Sequence, residues 1–113
     1  MQPTAKSLWD KLKSEEAKIR ERLATMEEEF DLAVELHAPS GTVIRIGAIA
    51  YFPYSNDTLR IQGIDVRTRE ACQAIVSVRS FYVIFRFTRV EGRESERKPI
   101  GFHIEGEEGS EET

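Results

Sequence analysis

The chain has 113 residues, of which 40% are hydrophobic and 32% charged, and its formal net charge is −4 at neutral pH. That length supports one domain around one core, and that composition belongs to a globular protein rather than a disordered or fibrous one. No run of eighteen apolar residues offers a membrane span, the N-terminus lacks the apolar stretch of a secretory signal, and a single cysteine leaves no intramolecular disulfide, so the reading is a cytoplasmic protein with no membrane partner.

Residues 4–29 open the chain with Leu8, Leu12, Ile19, Leu23, Met26 and Phe30 recurring at three- and four-residue steps or their sums. This spacing predicts an amphipathic helix. Ser7-Leu8-Trp9-Asp10 fits an N-terminal capping box, with Thr4 as a rival start. Glu15 and Glu16 interrupt the apolar stripe, which argues against a long coiled coil, and one side of the helix still needs an apolar partner.

From Phe30 the period changes to two. Leu32, Val34 and Leu36 alternate with Asp31, Glu35 and His37, which predicts a half-buried strand ending at the turn Pro39-Ser40-Gly41. Residues 42–52 form a second strand with Ile44, Ile46, Ala48, Ala50 and Phe52 on one face. In residues 58–66 the apolar phase runs through Leu59 and Ile61 and then slips to Ile64 and Val66, which places a bulge or sharp bend at Gly63. Residues 71–78 follow as a fourth strand, where Cys72 shares the phase of Ala74, Val76 and Val78 and reads as a packed core thiol. The fifth strand lies within residues 77–90. It is apolar on both faces, with Phe81, Val83, Phe85 and Phe87 on one side and Tyr82 and Ile84 on the other.

After Val90 the composition shifts. Residues 91–98 read as a hydrophilic linker, Ile100, Phe102 and Ile104 suit a weak edge strand, and residues 106–113 have too little apolar surface to order. The fold expected is mainly β with an N-terminal α-helix: residues 1–29 pack as a helix on a small, strongly bent five-stranded barrel of Sm-like or SH3-like type spanning residues 30–90, followed by an acidic tail over residues 91–113. Closing the sheet buries one face and leaves the outer face of the fifth strand in need of cover. A neighbouring copy is the first candidate, through Tyr82 and Ile84, which makes the protein a homo-oligomer; the helix stripe is the second.

Charge is unevenly spread. Residues 31–90 carry seven basic and five acidic residues, whereas residues 91–113 carry three and eight. All seven basic residues of the middle segment are arginines, a side chain suited to bidentate recognition of phosphate or carboxylate.

The segment Val78-Arg79-Ser80-Phe81-Tyr82-Val83-Ile84 resembles the second motif of the Sm-like family, which includes Hfq, with Ser80 where the family has Gly. Gly41, Gly47 and Ile49 followed by Tyr54-Ser55-Asn56 are similar to its first motif. The resemblance covers residues 30–90 and implies a helix followed by a five-stranded barrel, assembly into a ring, and binding of single-stranded RNA through Asn56 and Arg79. The residues supply no enzyme signature. One Cys and two distant His give no recognisable metal-ligand spacing. There is no phosphate-binding glycine loop or nucleophile elbow, and His37 has a polar phase where Cys72 has a core phase, so the expectation is a non-enzymatic binding module without cofactor or metal.

Overall fold

The computed structural model describes residues 4–26, 30–89 and 99–106. One helix, α1 (Ala5–Leu23), precedes six strands: β1 (Phe30–His37), β2 (Val43–Tyr51), β3 (Thr58–Asp65), β4 (Ala71–Ser77), β5 (Tyr82–Arg89) and β6 (Gly101–Ile104). The expected linker of residues 91–98 and residues 107–113 of the expected disordered tail lie outside the described residues, as do residues 27–29 of the expected helix.

Thr4, not Ser7, is the N-cap of α1. The Thr4 hydroxyl accepts from the Ser7 N–H at 3.1 Å and the Ser7 hydroxyl accepts from the Thr4 N–H at 2.9 Å, a reciprocal capping box that satisfies two backbone donors. The buried face of the helix is Ala5, Trp9, Leu12 and Glu16, spaced by four, three and four residues, while Leu8, Ile19 and Leu23 flank it half-buried. Trp9 is its centre. The indole N–H donates to the Ile49 carbonyl at 3.2 Å, and the ring stands edge-on to Tyr51 and Phe102 at 5.0 and 5.6 Å. Glu16, only 5% exposed, accepts from the Ile100 N–H at 2.9 Å and from Arg20 Nε at 3.1 Å. Its buried charge therefore ties the helix to the chain segment leading into β6.

The sheet runs in the order β4-β3-β2-β1-β5 with antiparallel neighbours, and β6 pairs parallel with β2. The expected barrel is not closed. Strand β1 pairs with β2 only from Glu35 to His37, opposite Val43 to Arg45, and beyond that β6 pairs with β2 from Ala48 to Tyr51. Since β3 holds one edge of β2 over most of its length, β1 and β6 must share the other. The strands β1 and β2 thus part company halfway. The core, formed by residues such as Leu36, Ile49, Leu59 and Ile61, is covered by Trp9, Leu12 and Ile100 of the helix and return segment on the β2 and β6 side. The expected weak edge strand at residues 100–104 is present as β6, parallel and beside β2.

The irregularity expected at Gly63 sits on the strand opposite. Ile46 pairs with Gly63 and Ala48 with Gln62, so Gly47 is the extra residue of a β-bulge in β2. The bulge switches the phase of β2: Ile44 and Ile46 join the core before it, Ile49 and Tyr51 after it, and the expected face through Ala48, Ala50 and Phe52 is corrected accordingly. Gly41 closes the β1–β2 turn at φ +97°, donating to the Ala38 carbonyl at 3.0 Å, a conformation that favours glycine. No helix among the described residues is long and apolar enough to cross a membrane.

Candidate functional site

Strands β4 and β5 end the strand order, so each presents one edge that is unpaired among the described residues. Their inward residues reach the core without being fully covered: Cys72, Ala74 and Val76 on β4, and Val83 and Phe85 on β5 with Phe81 just before it, are all half-buried. Their outward residues include large apolar groups in water, Ile75 at 58% and Tyr82 at 61% exposed, and Phe87 further along β5 is 50% exposed. Helix α1 packs on the β2 and β6 side through Trp9 and Glu16. Tyr82 therefore remains exposed, its ring stacked on His37 at 5.0 Å, while Ile84 beside it is half-buried. Charge protects only one of the two edges: β5 carries Arg86 and Arg89, whereas ACQAIVS of β4 has no charged residue and no proline. Ile75 escapes a sequence reading because its phase-mates Gln73 and Ser77 mark a solvent face; the signal available was that one apolar residue in a polar phase.

A second cluster forms at one end of the sheet. The Val78 N–H donates to the Asp57 carbonyl at 2.9 Å, which sets the β2–β3 loop beside the β4–β5 turn. Asn56 and Arg79, the two residues the Sm-like resemblance singles out, are exposed and adjoin the two ends of that bond. The Asn56 carbonyl also accepts from the Ala5 N–H at 2.6 Å, anchoring the loop to the start of α1. Tyr54 on the same loop is 84% exposed, with its ring 5.8 Å from Phe52.

The outer face of β1 and β5 carries a polar group that the sequence reading passed over. Glu35 is 5% exposed, and its Oε1 lies 3.1 Å from both Arg86 NH2 and His37 Nε2. Burial pushes the carboxyl up, but the hydrogen bonds and charges of Arg86 and His37 outweigh it and hold Glu35 below its ordinary value of 4.5. A carboxylate with a lowered folded-state pKa contributes stability that is complete above the ordinary value and is lost as pH falls through the lowered one. Urea unfolding at pH 6 and pH 3 should therefore show the wild type losing more stability than Glu35→Gln, by on the order of 1 kcal/mol since Arg86 is half-exposed. Equal losses in the two proteins would contradict the arrangement.

Among the described residues, no group of three or more His, Cys, Asp or Glu side chains is placed to hold a metal ion. No protein-family model, no curated protein and no solved structure matches the chain.

Proposed function

We propose that the protein is a non-enzymatic, cytoplasmic β-sheet module that assembles with copies of itself, the unpaired edge of β5 in one copy joining the unpaired edge of β4 in the next. The observation that carries this reading is the uncharged edge of β4, unpaired among the described residues and with a half-covered inner row, at the opposite end of the strand order from the similarly half-covered β5. A β5–β5 pairing would set the Arg86 and Arg89 of two copies near each other and leave both β4 edges open. A β4–β5 pairing occupies both of those strand edges and is heterologous, so it closes into a ring when the rotation permits. Each large apolar side chain covered contributes about 1.5–3 kcal/mol, and Ile75, Tyr82 and Ile84 together with the inner rows offer several against the cost of association. Light scattering should find the wild type oligomeric at micromolar concentration, and both Tyr82→Lys with Ile84→Lys and the single change Ile75→Lys should yield smaller, folded species. A wild type that stays a monodisperse monomer at high micromolar concentration would overturn the reading.

A second reading, an Sm-like ring that binds single-stranded RNA, is supported by the placing of Asn56, Arg79 and exposed Tyr54 at one end of the sheet. Exposed aromatic rings beside arginine suit unpaired bases. Affinity for U-rich or A-rich RNA should then fall steeply with salt as phosphate contacts release counterions. Deleting the acidic residues 106–113 should strengthen it, and Arg79→Ala should weaken it by tenfold or so. Absence of binding at low salt, with and without those residues, would remove this reading and leave self-assembly standing.

A further inference from the structure

Where β1 and β2 part, they leave a cleft of about 650 Å³. Its walls are largely apolar, with Val34 on β1, Ala48 on β2, Ile64 on β3 and Ile100 from the return segment among them. That volume is in the range of small-molecule sites. One cation on the wall has no counter-ion among the described residues: the Arg45 side chain makes no hydrogen bond or ion pair with any of them, and its Nε is buried without an acceptor. The obvious partner is already engaged. Glu35 is the cross-strand neighbour of Arg45, yet its carboxylate serves Arg86 and His37 instead. Arg20, the other arginine of the cleft, is neutralised by Glu16 at 3.1 Å. Among the described residues, the Glu35 carboxylate thus serves Arg86 and His37 and leaves Arg45 without an acceptor, and a buried guanidinium N–H without an acceptor is costly.

We propose that this cleft binds a small organic carboxylate with an apolar body, its head group on Arg45 and its hydrocarbon along Val34, Ala48, Ile64 and Ile100. The planar guanidinium offers parallel donors that match a carboxylate, and the apolar lining gives the hydrocarbon a surface to cover. The inference stands apart from the self-assembly reading, since Arg45 and Ala48 belong to an interior strand of the sheet and not to the β4 or β5 edge.

The test is titration of the full chain, followed by amide chemical shifts and by calorimetry, with three probes: octanoate below its micellar range, octanol as the same body without charge, and acetate as the same charge without body. Octanoate should saturate, with the largest shifts at Arg45, Ala48 and Ile64, and should bind at least tenfold more tightly than either octanol or acetate. Arg45→Met should lower octanoate affinity at least tenfold and leave octanol unchanged. Ile64→Glu should also lower octanoate affinity at least tenfold, and by more than it lowers octanol affinity, because Ile64 is the cross-strand partner of Arg45 and partly exposed, so a carboxylate there competes for the guanidinium as well as removing apolar wall. Octanoate binding that does not saturate, that octanol equals, or that survives both substitutions would overturn the proposal.

Discussion

Replacing Trp9 with alanine is expected to destabilise the protein by about 3–5 kcal/mol, the range for removing a buried tryptophan side chain. The size of the effect follows from what the indole joins. Its ring is the edge-on neighbour of Tyr51 on β2 and of Phe102 on β6, and its N–H occupies the Ile49 carbonyl. Alanine would open a void between three elements at once. Trp9→Phe should cost less than Trp9→Ala, because it keeps much of the ring volume and gives up the hydrogen bond to Ile49, worth on the order of 1 kcal/mol. Hydrogen exchange separates the local consequence from the global one: in Trp9→Ala the amides of Gly101–Ile104 should lose protection before those of β3. Urea unfolding of Trp9→Ala within 1 kcal/mol of the wild type would mean that the helix is not what closes the core.

The strands were legible because each carries its own evidence. Leu32, Val34 and Leu36 alternate within five residues, and no distant contact is needed to see it. The centre of the helix face was harder to see. Leu8, Leu12, Ile19 and Leu23 form a genuine stripe, but the buried line lies one residue over, through Ala5, Trp9, Leu12 and Glu16, and a glutamate ordinarily marks a solvent face. Glu16 is inside because the Ile100 N–H, 84 residues away, meets its carboxylate. Closure of the sheet failed for the same reason: whether β1 follows β2 along its whole length depends on β6 taking the vacated edge, which is a matter of long-range pairing.

The phase slip in residues 58–66 was real but its cause lay elsewhere. Leu59 and Ile61 do face the core, and Ile64 and Val66 are partly exposed apolar residues, while the extra residue belongs to β2. The bulge there was hidden because alanines at positions 48 and 50 continue an apparently apolar alternation after Ile44 and Ile46. Of the candidate interface residues, Tyr82 and Ile84 could be read from two-sided apolarity in one strand. The β4 edge could not, since being an edge is a property of topology. Asn56 and Arg79 stand 23 positions apart in the chain, and composition alone gives no reason to join them; the Sm-like resemblance pointed to both, and the Val78–Asp57 hydrogen bond sets their segments side by side.

Gly63→Val is expected to destabilise by about 3 kcal/mol, at the upper end of the usual cost of forcing atoms into a packed site. The cause is close approach of two backbones. A Cβ on residue 63 would collide with the Arg45 carbonyl oxygen and stand 2.9 Å from both the Arg45 carbonyl carbon and Ile44 Cγ2. Two of those three atoms are main chain, held by the β2–β3 ladder, and no rotamer change moves them aside. Even Gly63→Ala meets this obstacle, so it should cost nearly as much as valine, which a propensity effect alone would not produce. Gly47 supplies the control. It is the bulged residue, yet a Cβ there would meet the Gln62 carbonyl oxygen at an ordinary 3.6 Å, so Gly47→Ala should stay within about 1 kcal/mol of the wild type. The pair of results distinguishes two accounts of this bend: a flexible glycine in the bulge predicts damage at Gly47, and backbone proximity predicts it at Gly63. Equal tolerance of alanine at both positions, measured by urea unfolding, would mean that β2 and β3 do not approach so closely at Arg45.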